Sequence, residues 1–191
     1  MRSTVATVHE LVTGLVPGDN LEAEHRAHTL GWLRRTDDVF RRVKPAQPAQ
    51  HLVSYVVPID PADGSVLLVE HVNAGLWLPP GGHVEVDEHP HRTAAREIEE
   101  ELGVTTAPTS EPVFLTVTET VGVDSGHTDV SLWYTVDVPR DRELTPDAGE
   151  FHGIRWWSRA EILAADPKLF DPHLTRFLEK LPTAAPDRSG G

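Results

Sequence analysis

The stretch PHRTAAREIEEEL, residues 90–102, constrains the fold more than any other part of the chain. Pro90 suits the first turn of a helix and Gly103 suits its C-terminal stop, so both limits are set. At about 100° per residue, Ala94, Ala95, Ile98 and Leu102 form one apolar stripe that has to be buried. Glu97, Glu100 and Glu101 fall within a neighbouring arc, and Glu99 lies on the other flank. Like charges at helical spacing cost roughly 0.2–0.5 kcal/mol per pair, and partial burial increases that cost as the local dielectric falls. A run such as EIEEE taken alone most simply reads as a solvated face. Three carboxylates beside a buried edge instead call for a cation. Glutamate oxygens without Cys or His partners are hard ligands, which suits Mg2+ or Mn2+, and magnesium commonly completes its shell with water and substrate phosphates.

The flanking residues extend this reading. Gly82, Glu88, Arg96, Glu97, Ile98, Glu99, Glu100, Glu101, Leu102, Gly103 and Val104 reproduce, without departure, the signature box of the Nudix hydrolases. Seven fixed positions match by chance on the order of once in 10⁸ starts. The chain resembles that family from about His51 to Leu181. The resemblance implies an α/β fold, the Nudix α/β/α sandwich with a mixed β-sheet, here preceded by an N-terminal helical extension. It also implies that Glu97, Glu100 and Glu101 coordinate metal or activate water, that the carbonyl of Gly81 is a further ligand, and that Arg96 and Glu88 orient the others. Family members often add a carboxylate shortly before a tryptophan. Glu150, six residues before Trp156, occupies that place, with Asp124, Asp129 and Asp147 as weaker alternatives.

The expected elements agree with such a sandwich. TVHELVTGLV, LEAEHRAHTLGWLRR with Asp19 or Asn20 as cap, and DDVFRRV read as helical, with Leu21, His25, His28 and Trp32 on one face. Two prolines in KPAQPAQ mark a linker. From His51 the period becomes extended: HLVSYVVPID and SVLLVEHV flank an Asp63-Gly64 hairpin signal. GLWLPPGG breaks regular structure, HVEV makes a short strand, and PVFLTVTET, DVSLWYTVDV and GIRWW follow as strands. Ser158 starts a helix, and Asp171 with Pro172 starts another. Residues 1–48 are read as extension and linker, 49–182 as the hydrolase domain, and 183–191 as a disordered tail.

Composition narrows the partners. Thirty acidic against seventeen basic residues give a net charge of -13, which repels a phosphate backbone, so long nucleic acids are excluded as partners. No apolar run is long enough for a membrane span, and the N-terminus lacks a signal peptide's order of parts, so it is read as retained and the protein as cytoplasmic. The absence of cysteine excludes thiolate metal sites and argues against the isoprenyl diphosphate isomerases of related fold. The expectation is a Mg2+-dependent pyrophosphohydrolase of a small-molecule nucleotide or nucleoside diphosphate derivative, such as a nucleotide sugar, ADP-ribose or an oxidised dNTP. The alternative is a non-catalytic nucleotide-sensing module. Trp77 is the best candidate for stacking on a base, because Phe114, Trp133, Tyr134 and Trp156 lie in strand patterns that read as core. Among eleven histidines, His83, His89 and His91 lack the helical spacing of a zinc pair and read as surface or structural. His127 and Asp129 are candidates to touch substrate. A homodimer is an assembly the resemblance allows.

Overall fold

The period change at residue 51 becomes the centre of a sheet. The computed structural model describes residues 3–43, 47–121 and 126–182; Asp124 and the expected tail lie outside them. Strand β1 (Gln50–Ile59) anchors a seven-stranded mixed sheet. Along its whole length it pairs in parallel with β6 (Thr128–Asp137), which pairs antiparallel with β5 (Phe114–Glu119). β2 (Val66–His71) meets β1 only at Ile59↔Val66, and β4 (Gly81–His83) pairs with β1 from Val53↔His83 to Tyr55↔Gly81. β3 (Leu76–Leu78) and β7 (Phe151–Trp157) both pair with β2.

The Asp63-Gly64 turn forms, with Asp60 N–H donating to Ser65 O at 2.9 Å, but the hairpin is shorter than its pattern implies. The two strands part because the rest of that edge of β1 is taken by the 80–84 segment: Val56 N–H donates to Pro80 O and Val84 N–H to Leu52 O. The GLWLPPGG segment therefore carries one strand and begins another, and HVEV is not itself a strand.

Strand alternation sorts the side chains into two cores. Leu52 and Val56 of β1, Leu115 of β5 and Val130, Leu132 and Tyr134 of β6 face one cluster. It is covered by Ala94, Ile98 and Leu102 of α3 (Pro90–Leu102), by Val5, Val8 and Val12 of α1 (Ser3–Gly14) and by Trp32 and Leu33 of α2 (Asn20–Leu33). Val57, Phe114 and Trp133 face the other cluster, under Ile162 of α4 (Arg159–Ala164) and Leu174, Phe177 and Leu178 of α5 (Leu174–Lys180). Helices on both faces make the α/β/α sandwich.

Two helical expectations need correction. Residues 37–43 are not helical: Val39 and Phe40 are buried in the first cluster and Val39 O accepts from Leu52 N–H at 2.8 Å, which an extended chain can reach. On α2 the buried residues are Glu22, Thr29, Trp32 and Leu33, while Leu21 and His28 are exposed. The reason is the sheet edge. β5 has β6 on one side only, and α2 covers the other: Leu115 N–H donates to Glu22 Oε1 at 3.1 Å and Val117 N–H to His25 Nδ1 at 3.3 Å. Edge strands require such cover. Glu22 also pairs with Lys180 Nζ at 2.7 Å, and Asp19, the cap of α2, pairs with Arg176, so the extension grips α5 as well. Asp171 caps the turn before α5, accepting from His173 N–H, and the helix starts at Leu174.

Candidate active site

Helix α3 begins at Pro90 and ends at Gly103 in the left-handed conformation, φ 69°. It is held by its apolar stripe, and its last two turns present Glu97 and Glu101 to a cavity of about 660 Å³. Glu101 is only 5% exposed. Its Oε2 accepts from Gly81 N–H at 3.0 Å, which ties α3 to β4. Gly81 has φ 151°, and a Cβ there would lie 2.3 Å from Ser54 O. A Cβ on Gly82 would lie 2.3 Å from Glu97 Oε1. Gly82 thus lets the strand backbone approach the Glu97 carboxylate, and Gly81 lets it lie close against β1 while its N–H reaches Glu101.

Charge is crowded here. Burial, then the neighbouring Glu97, pushes the Glu101 carboxyl up to about 9 against the pull of the Gly81 N–H, with Glu150 and Asp147 adding. Burial also raises Glu97; Arg96 opposes this, while Glu100 and Glu150 reinforce it. The local cation is Arg96. Its fork grips Glu88 through Nε at 3.2 Å and Nη2 at 3.0 Å, while Nη1 reaches Glu97 Oε1 at 2.8 Å and Glu100 Oε2 at 3.1 Å. Burial would raise Glu88, yet hydrogen bonds from Arg96 and Thr93 bring it below its ordinary value. Arg96 leaves Glu101 to the backbone, so the most buried glutamate of α3 has no cationic partner among the described residues. This all-oxygen set fits a hard divalent ion.

The candidates named from sequence separate here. Gly81, Arg96, Glu97, Glu101, Glu150, His127 and Asp129 line the cavity. Glu100 does not: its side chain is 60% exposed and joins the group only through Arg96. Trp77 is not in the cavity wall either. It packs edge-on against Trp157 with ring centroids 5.4 Å apart, on the α5 side of the sheet, because β3 registers it against Glu70 of β2. Phe114, Trp133 and Tyr134 are fully buried, as their strand patterns imply. Asp147 is exposed and supplies its backbone, N–H to Glu101 O at 3.0 Å.

Several cavity residues escaped the sequence reading. Tyr55, not Trp77, is an aromatic side chain of the wall. Alternation along β1 puts it on the face of Val53 and Val57, a signal that became usable once Gly81 was paired with it. Arg41 reaches the cavity from the segment after α2, and nothing local announces that. Asp171, which reads as a helix cap, lines the cavity as well; burial, with Asp129 adding, raises it to about 6 against the His173 N–H and Arg176. His83 also lies in the wall.

Comparison with known proteins bears on the fold and the family. The chain is 39% identical over 57 residues to a MutT-like protein of Streptomyces ambofaciens, a match covering 30% of this chain and 37% of that protein. It is 30% identical over 106 residues to the phosphatase NudJ of Escherichia coli K12, covering 54% of this chain and 67% of that one. The crystal structure of a MutT protein from Methanosarcina mazei superposes with a TM-score of 0.57 at 22% identity, covering 68% of this chain and 90% of that one, which speaks to the fold. The model of the NUDIX domain matches residues 49–181. The chain belongs to the NUDIX domain family and is a Nudix hydrolase.

Proposed function

We propose that this hydrolase cleaves the diphosphate of a nucleotide or nucleoside diphosphate derivative, with Glu97, Glu101, Glu150 and the Gly81 carbonyl holding Mg2+ or Mn2+ and Glu100 joining them on loading. The observation that carries the reading is the buried Glu101 beside Glu97, unpaired by any described cation, on the wall of a cavity large enough for a nucleotide. A bound divalent ion supplies charge stabilisation for the non-bridging phosphate oxygens. The chain's own residues do the rest. The Gly81 N–H fixes the Glu101 carboxylate, and Arg96 fixes Glu97 through a fork anchored on Glu88. Arg41 offers positive charge to the diphosphate, and Tyr55 offers a ring to the base. Glu150, exposed at the cavity rim, is suited to take a proton from the attacking water. The substrate is a small molecule in the cytoplasm, and residues 49–182 are the hydrolase domain, whose site Arg41 of the extension completes.

The test is a metal-supplemented screen of dNTPs, oxidised dNTPs, ADP-ribose, nucleotide sugars and dinucleotides, with products identified by mass. Release of a nucleoside monophosphate is expected. Glu101→Gln should lower kcat by about 10²–10³-fold, the range for loss of one preorganised electrostatic contribution to the transition state, with an unchanged circular dichroism spectrum. Nucleotide binding without turnover on every substrate and metal would mean a sensing module instead.

A further inference from the structure

A second cluster of metal-ligating groups, apart from the glutamates, meets the cavity wall through His83, His127 and Asp129, with His51 buried behind them. His51 and Asp129 are register partners on the parallel strands β1 and β6, and His83 of β4 is paired with Val53, two residues along β1 from His51. Two-residue periodicity therefore puts His51, Asp129 and the Val53–His83 pair on one face of the sheet, and His127 enters from the residue before β6. One ligand atom from each of the four can be chosen so that all lie within 4.8 Å of one another.

The contact between His51 and Asp129 is the informative one. His51 is fully buried, and its Nδ1 lies 2.9 Å from Pro48 O. A carbonyl can only accept, so Nδ1 carries the proton, and on a neutral ring Nε2 presents a lone pair. That lone pair lies 3.1 Å from Asp129 Oδ1, and neither buried atom makes a properly directed hydrogen bond. Two acceptors at that distance repel unless a cation lies between them. A proton on Nε2 would lie off the line to the carboxylate. It would also charge a ring stacked at 4.9 Å on His127 and 4.8 Å from His83. A metal ion removes both difficulties. With bonds of 2.0–2.1 Å, tetrahedral zinc places its ligand atoms about 3.3 Å apart. His51 Nε2–Asp129 Oδ1 at 3.1 Å and His127 Nε2–Asp129 Oδ1 at 3.4 Å already have that spacing. The Pro48 carbonyl on Nδ1 is the kind of outer contact that orients a ligating histidine.

We propose that His51, His83, His127 and Asp129 form a closed, four-ligand structural site for a borderline transition ion of the zinc class, distinct from the carboxylate centre. It pins β4 to β1 and β6. Because Gly81 and His83 are two residues apart on β4, roughly 7 Å of strand, the same pin steadies the backbone that holds Glu101.

The full-length protein, stripped with a chelator, is titrated with Co2+ and, separately, with Zn2+. The expected result is one equivalent of Co2+ with the intense visible absorption of tetrahedral nitrogen and oxygen ligation, displaced by Zn2+, and a rise in Tm with Zn2+. Both signals should persist in Glu97→Gln with Glu101→Gln, and both should disappear in Asp129→Asn and in His51→Gln. Two variants are used because Asp129→Asn keeps side-chain volume if burial makes His51→Gln unstable. No tetrahedral uptake by the wild type, or uptake that survives Asp129→Asn and is lost with the glutamates, overturns the proposal. The readout is metal uptake, so a failed hydrolysis screen leaves it untouched, and its own failure leaves the hydrolase reading standing.

Discussion

Glu97 and Glu101 are each met by a glycine of β4, but the two glycines serve them differently. Gly81 needs its absent Cβ for two reasons, a φ of 151° and the Ser54 carbonyl 2.3 Å away, and neither obstacle can move without moving β1. At Gly82 the obstacle is only the end of the Glu97 side chain, at the same distance. Gly81→Ala is therefore expected to compromise folding. Gly82→Ala should fold, push Glu97 off its Arg96 partner, and lower kcat/KM by about 10²-fold, the cost of misplacing a reacting group by about an ångström. Thermal melts beside turnover assays separate the two. If Gly82→Ala hydrolyses substrate at the wild-type rate, the position of Glu97 is not what the site depends on.

The elements carry an account of what could and could not be read from the sequence. α3 was legible to the residue, because Pro90, Gly103 and the 94-98-102 stripe are all local signals. The strands after residue 50 were legible from alternation, and their partners were not, since pairing is decided between segments far apart in sequence. α2 is legible as a helix, but its buried face is not: hydrophobicity favours Leu21, whereas the unpaired amides of β5 select Glu22 and His25. Glu22→Ala tests this. It would leave the Leu115 N–H and Lys180 without their acceptor, and loss of one partner of a buried pair costs about 3–5 kcal/mol, to be read as a lower urea midpoint. The α2–α5 junction is also acid-sensitive. Burial, with Arg176 and His25 adding, lowers His173 to about 4, and Arg176 lowers Asp19 to about 2. Both folded values lie below the unfolded ones. The contribution of these two groups is therefore intact above about pH 6.5; the His173 share is lost as pH falls from 6.5 to 4, and the Asp19 share from 3.8 to 2. Glu101 and Asp171, raised to about 9 and about 6, act in the opposite sense over the same range, so the His173 share is read as a difference: the wild-type Tm should fall relative to that of His173→Gln as pH drops from 6.5 to 4.

At the scale of the whole molecule, the family match begins at residue 49, yet the packing does not respect that boundary. Val5, Val8, Val12, Leu15, Trp32, Leu33, Val39 and Phe40 all lie in the same buried cluster as the sheet and α3. At roughly 1.5–3 kcal/mol for each large apolar side chain taken out of water, these eight contribute an amount comparable with or larger than the 5–15 kcal/mol net stability of a typical domain. The loss would act on both sides of the interface, because removing the extension also uncovers β5, on which α2 packs, and strips its edge of its acceptors. The arrangement links folding to function, since the segment that follows α2 brings Arg41 to the cavity and Val39 O to β1. A chain beginning at residue 49 is thus expected to emerge aggregated or without a cooperative melt, although it contains every glutamate of the box. Size-exclusion chromatography and calorimetry of that fragment decide the matter. A monodisperse fragment that melts cooperatively and hydrolyses nucleotide as the full chain does would show that the first 48 residues are an accessory, and that the shared core overstates their contribution.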